Sequence, residues 1–154
     1  MQIVRTRDEL HLALPPDRTR AVVMTMGALH AGHAALIDAA RQAVGPQGHV
    51  LVTIFVNPTQ FGPTEDLATY PRNEEADLAI CAEHGADAVY LPSARDVYGS
   101  AGPGAGEAVT VDPGPLGTRW EGAARPTHFS GVLTVVLKLI NICRPDVAVF
   151  GEKD

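Results

Sequence analysis

Two imidazoles separated by an alanine and a glycine, His30-Ala31-Gly32-His33, follow directly on the apolar run Ala21-Val22-Val23-Met24-Thr25-Met26-Gly27. The run reads as a buried strand, and the Ala-rich stretch after it reads as a helix. At such a strand-to-helix turn, backbone N–H groups and the helix dipole favour an anion. A glycine between the histidines lets a phosphate approach backbone that a Cβ would block. Both imidazoles then donate hydrogen bonds to phosphate oxygens as charge develops on them. This is the chemistry of a nucleoside triphosphate. Two alternatives stay open on the tetrapeptide alone: a metal site, for which no convincing third and fourth ligand lies nearby, and purely structural histidines.

The elements that must hold this turn alternate between strand and helix. A short strand is predicted over 2–4, then a helix to about residue 14, started by a Thr6/Glu9 capping box and stopped by Pro15-Pro16. A strand over 21–26, a helix over 31–43, a Gly-Pro-Gln-Gly break at 45–48 and a β-branched strand over 50–56 follow. Next come a loop over 57–72, a helix over 73–84 and a strand over 88–91. Residues 129–142 suit either period, and their length favours a helix; 146–150 reads as a final buried strand. Near-continuous apolar strands alternating with helices predict an α/β fold: a Rossmann-like parallel sheet with helices on both faces. In such a sheet ligands bind at the C-terminal ends of the strands. His30 and the loop beginning at Asn57 both fall there. The Gly/Ala-rich residues 100–106 read as a surface loop within the domain.

Length and composition agree with one soluble domain. The chain has 154 residues, 45% of them apolar and 19% charged. A formal net charge of −6 argues against general nucleic-acid binding. Cys81 and Cys143 form no CxxC pair and read as small core residues of helices in a reducing compartment. The first residues carry no signal-peptide pattern, and the longest apolar stretch, 132–137, is too short to span a bilayer. A cytoplasmic protein is expected, with no membrane partner.

Five segments now stand in order: Thr25-Met26-Gly27-Ala28-Leu29-His30-Ala31-Gly32-His33, Phe55-Val56-Asn57-Pro58-Thr59-Gln60-Phe61-Gly62, Tyr70-Pro71-Arg72, Arg125-Pro126-Thr127-His128-Phe129 and Gly151-Glu152-Lys153-Asp154. Together they resemble the pantothenate synthetases (pantoate–β-alanine ligases), a family with an HxGH nucleotidyltransferase-type fold. The resemblance implies that ATP and Mg²⁺ adenylate pantoate with loss of pyrophosphate, after which the β-alanine amine displaces AMP to give pantothenate. It makes Met26, Gly27, Ala28, Leu29, His30, Ala31, Gly32 and His33 the ATP-binding turn, with His33 the proton donor and His30 sharing the neutralisation of phosphate charge. Gly151, Glu152, Lys153 and Asp154 match the second ATP segment, with Lys153 a cation for the phosphates. Gln60 matches the pantoate-contacting glutamine near the β-alanine position. Asn57, Met26 and Tyr70 complete the pocket wall, and Arg125 and His128 are further substrate-site residues. Asp77 is the candidate carboxylate near the metal; its bland reading is an exposed helix residue. His11, His49 and His84 match nothing and read as surface residues.

The resemblance also implies a homodimer. Family members continue past Gly-Glu-Lys-Asp with a second pantoate-contacting glutamine and a smaller C-terminal lid domain, none of which is in this chain. The expectation is therefore that residues 1–154 form the nucleotide- and pantoate-binding domain, weakly active or inactive alone. Two further readings stand beside the ligase: an HxGH nucleotidyltransferase, and a non-catalytic fragment that binds nucleotide or dimerises.

Overall fold

The computed structural model describes residues 1–61, 67–100, 102 and 109–153. The Asp154 assignment, Gly62 of the second motif and most of the 100–106 loop lie outside these residues.

In chain order the elements are β1 (Gln2–Val4), α1 (Arg7–Ala13), β2 (Arg20–Thr25), α2 (Ala31–Val44), β3 (His49–Ile54), α3 (Glu74–Glu83), β4 (Ala88–Tyr90), α4 (Ala94–Tyr98), α5 (Glu121–Ala124), α6 (His128–Cys143) and β5 (Val147–Val149). Short 3₁₀ turns occupy Pro58–Gln60, Leu67–Thr69 and Gly114–Thr118. The strands form one parallel sheet in the order β1-β4-β3-β2-β5. The expected α/β architecture is what folds.

Side-chain alternation along the strands explains why the strand sequences are apolar throughout. Ala21 and Val23 of β2, Val50 and Val52 of β3 and Val89 of β4 pack with Ile37 and Ala40 of α2 and Cys81 of α3. The intervening Val22, Leu51, Ala88 and Tyr90 pack on the opposite face with Leu10 of α1, Val97 and Tyr98 of α4, and Val135, Leu139 and Ile142 of α6. Both faces are covered, as a parallel sheet requires.

The helix-start signal read at Thr6 acts as expected, and another cap appears only in the structure. Thr6 and Glu9 form the reciprocal capping box of α1, and Asn73 caps α3 through its side chain. The helix α4 escaped the sequence reading, although Ser93 and Asp96 form a capping box at its start. The final strand is a correction: β5 is half-buried, because it pairs with β2 on one side only. Both cysteines are buried and unbridged. Burial pushes the Cys143 thiol up to about 12, and burial together with the Asp77 charge pushes Cys81 up to about 11. Among the described residues no helix is long and apolar enough to cross a membrane.

His49 is also a correction. It is 4% exposed rather than a surface residue, and its Nε2 has no hydrogen-bond partner. It opens β3, and its N–H donates to Thr19 O at 2.8 Å, so the backbone carries the ring into the core. Burial holds the imidazole below its ordinary value of 6.5; the Asp87 charge opposes this shift, while Arg20, Arg18 and Arg41 add to it. As pH falls below 6.5 the unfolded chain takes up a proton that the folded chain refuses, and stability drops. His49→Gln is expected to flatten the fall in Tm between about pH 7 and pH 5, read by thermal melts in both proteins; parallel curves would refute the assignment.

A close approach fixes where α6 sits. A Cβ on Gly131 would lie 2.5 Å from the carbonyl oxygen of Thr59 and 2.9 Å from its carbon. Helical Gly→Ala ordinarily stabilises by up to about 1 kcal/mol. Here the obstacle is backbone, so Gly131→Ala is expected to destabilise by about 1–3 kcal/mol. Denaturant melts decide the sign.

Candidate functional site

The turn between β2 and α2 is built from the end of β2 outward. The Thr25 hydroxyl donates to Thr53 O on β3 at 2.9 Å and accepts from the Gly27 N–H at 3.2 Å, which bends the chain off the sheet. Gly27 (φ 86°) and Ala28 (φ 53°) are both left-handed. The N–H groups of Ala28 and Leu29 then converge on Asp77 of α3, at 3.0 Å to Oδ2 and 2.7 Å to Oδ1. Asp77 is 3% exposed, so the expectation of an exposed helix residue is corrected. Both of its oxygens serve the turn. Among the described residues no group of three or more metal-ligating side chains gathers anywhere.

His30 and His33 cap the helix reciprocally. His30 is the N-cap of α2, and its Nδ1 accepts from the Gly32 N–H at 3.0 Å. The His30 N–H in turn donates to His33 Nδ1 at 3.3 Å. The rings lie 4.2 Å apart between centroids, tilted by 52°. An imidazole that accepts at Nδ1 carries its proton on Nε2 in the neutral form, so both rings are donors at Nε2. The glycine has a structural reason of its own. A Cβ on Gly32 would lie 2.8 Å from His30 Cε1, so the residue makes room for the capping imidazole. Four backbone N–H groups of the turn, on Ala28, Leu29, His30 and Gly32, are engaged within the protein. Those amides are committed within the protein, and the two imidazoles close the cap over them.

Gln60 is held from several sides. Asn57, fully buried, donates from Nδ2 to Gln60 Oε1 at 3.1 Å and to Gly131 O at 3.3 Å. Its Oδ1 accepts from the Thr59 N–H at 3.3 Å, the Thr59 hydroxyl at 3.1 Å and the Tyr98 hydroxyl at 2.6 Å. These donors fix which way the Asn57 amide points. That in turn leaves Gln60 to address a ligand with its Nε2. Arg125 Nη2 donates to the Gln60 carbonyl at 2.6 Å, and His128 Nδ1 lies 3.2 Å from the same oxygen. Both sequence-predicted residues thus converge on the backbone of Gln60. Tyr98, absent from the sequence reading, comes from α4; a helix unseen in the sequence hides its residues.

Tyr70 is half-buried, edge-on to Phe61 with centroids 5.7 Å apart. Burial and then the Asp77 charge hold its hydroxyl above the ordinary 10.0, so it remains protonated. Met26 and Gly27 line a cleft of about 240 Å³ at the C-terminal ends of β2, β3 and β4, with Ile54, Val56, Arg72 and Asp77. A larger groove of about 400 Å³ lies between α1 and α6, and no sequence-predicted site residue lines it. Gly151, Glu152 and Lys153 follow β5, which pairs with β2 in the register Val149↔Val23. They therefore leave the sheet at the same end as residues 26–30, from the neighbouring strand. His84 is half-buried beside Asp38, at 2.9 Å, away from this end.

The family model for Pantoate-beta-alanine ligase matches residues 2–154. A pantothenate synthetase of Streptomyces avermitilis is 56% identical over 152 residues, covering 99% of this chain and 44% of that protein. The crystal structure of pantothenate synthetase from Thermus thermophilus is similar with a TM-score of 0.84 at 44% identity, over 96% of this chain and 51% of that one. A pantoate–β-alanine ligase from Francisella tularensis, in complex with β,γ-ATP and β-alanine, is similar with a TM-score of 0.83 at 38% identity, over 96% and 55% of the two chains. The chain thus spans about half the length of these relatives. With one family model matching it from residue 2 to residue 154, the chain belongs to the pantoate–β-alanine ligase family.

Proposed function

We propose that residues 1–154 are the nucleotide- and pantoate-binding domain of an enzyme that joins (R)-pantoate to β-alanine through a pantoyl-adenylate, using ATP and releasing pyrophosphate and AMP. The observation that carries this reading is the reciprocal capping of His30 and His33 through their Nδ1 atoms at the end of β2, on the strand beside the Lys153 segment. The transferring phosphoryl group gains charge at its oxygens, and prepositioned N–H donors stabilise it without reorganising. His33 and His30 supply those donors, and Lys153 adds a compact cation to the phosphates. Gln60 presents amide N–H groups to the acceptor oxygens of pantoate, which aligns its carboxylate with the α-phosphate. Mg²⁺ accompanies ATP in this reading.

The Francisella tularensis relative, a complex with β,γ-ATP and β-alanine, supports this choice of ligands. The chain acts as a cytoplasmic homodimer in the same reading. An HxGH nucleotidyltransferase, which stops at nucleotidyl transfer, does not need the Asn57–Gln60 arrangement that Arg125 and His128 brace.

The deciding experiment is pyrophosphate release from Mg·ATP, with and without pantoate and with β-alanine left out. Pantoate-dependent release by this chain is the expected result if the domain alone forms the adenylate. Should only the complete enzyme show it, ligation belongs to the family and this chain is its binding half. Release independent of any carboxylic acid, in both proteins, would remove the ligase reading.

In the complete enzyme, His33→Ala or Lys153→Ala is expected to cost ~100- to 1000-fold in rate, or about 3–4 kcal/mol. Wild-type turnover in either variant would refute its role. Tyr98→Phe removes one buried donor to Asn57, worth about 0.5–1.5 kcal/mol, or roughly two- to tenfold. It is expected to raise the KM for pantoate by that factor and leave the KM for ATP unchanged; equal effects on both would show a general loss of structure.

A further inference from the structure

Asp77 is a buried carboxylate that the proposed chemistry does not use, and it lies beneath the turn that carries both histidines. Two consecutive left-handed residues, Gly27 and Ala28, turn successive N–H groups inward to form a concavity suited to an anion. In this protein the concavity is filled from within: Oδ2 and Oδ1 of Asp77 take the N–H groups of Ala28 and Leu29. A Cβ on Gly27 would lie 3.0 Å from the same Oδ2, so the carboxylate is seated tightly under the turn. Asp77 stands in the first turn of α3, where the helix dipole favours its negative charge. Ala28 is costly in its left-handed conformation, since it has a Cβ.

We propose that Asp77 is a positioning residue for the nucleotide site: it takes the N–H groups of residues 28 and 29, so clamping the left-handed turn of Gly27 and Ala28, and thereby aims the His30 and His33 imidazoles. The inference rests on the reading of this turn as the nucleotide site. Two consequences follow. The clamp holds His30 at the N-cap position from which the reciprocal cap is made. It also occupies the backbone anion concavity, so an incoming phosphate meets the imidazole Nε2 donors instead of the Ala28 and Leu29 amides. A bidentate carboxylate is required because two N–H groups must be met at once; an amide side chain offers one acceptor.

The test uses this chain with Asp77→Asn, Asp77→Ala and the double variant Asp77→Ala with Ala28→Gly. Hydrogen exchange of the Ala28 and Leu29 amides is followed by NMR, with Mg·ATP titrated in parallel. Protection of both amides is expected in the parent chain, with loss of about tenfold or more for at least one of them in Asp77→Asn. Asp77→Ala is expected to lose both, to weaken ATP binding by about tenfold, and to regain much of that affinity when Ala28→Gly relieves the left-handed strain. Unchanged amide protection in Asp77→Asn overturns the proposal, and this milder variant keeps the test decisive if Asp77→Ala does not fold. Recovery of Tm without recovery of ATP affinity in the double variant also overturns it, since Asp77 would then support ATP binding by a route other than holding the turn. If the parent chain fails to bind ATP while its amides are protected by Asp77, the clamp stands and the nucleotide reading falls.

Discussion

Everything at the site depends on β2 being hydrogen-bonded in parallel to β3 on one side and to β5 on the other. Successive additions run from β2 to β3 to β4 in one direction, and the chain then crosses back to lay β5 on the opposite edge. The winding direction reverses beside β2, and a parallel sheet opens a crevice at the C-terminal end of such a strand. The two-histidine turn, the Asn57 segment and the Lys153 segment leave from adjacent strands at that end. Three stretches separated by many residues become neighbours through a single pattern of backbone pairing.

Accounting for polar groups sharpens the chemistry. A strand-to-helix turn rich in N–H groups looks like a phosphate cradle, yet here its amides are claimed by Asp77, His30 and His33. Using amides internally ties the turn to α3 and to its own capping imidazoles. The same economy operates at Gln60. Its side-chain oxygen is committed to Asn57, and its backbone carbonyl is met by Arg125 and His128. Its position is set by α6 and by the segment before it, with Gly131 allowing the two to touch.

Most of the architecture was legible because its signals are local. The apolar runs located β2 and β3 to within a residue or two, and the Thr6/Glu9 capping box marked a real helix start. The apolar run after β3 continues to Val56, but the strand stops at Ile54, because Phe55 donates to Thr25 O and the chain then enters the Asn57 cap. The short helix α4 was missed although Ser93 and Asp96 announce it, since its five residues are too few for a periodic pattern. Its loss hid Tyr98.

By itself the sequence determined the class of fold and the family, and it nominated the candidate site residues, because strand hydrophobicity and motif spacing are written along the chain. The burial of His49 and Asp77, the tautomer of the two histidines and the direction of the Gln60 amide were decided only by tertiary structure. Each depends on a partner distant in sequence or on space around a side chain. Asp77 reads as a surface carboxylate until α3 is packed beneath the turn, and only the folded turn shows that Gly32 also makes room for the His30 ring. A side chain's type is local information, whereas the groups that satisfy its charge and hydrogen bonds are brought to it by the folding of the whole sheet.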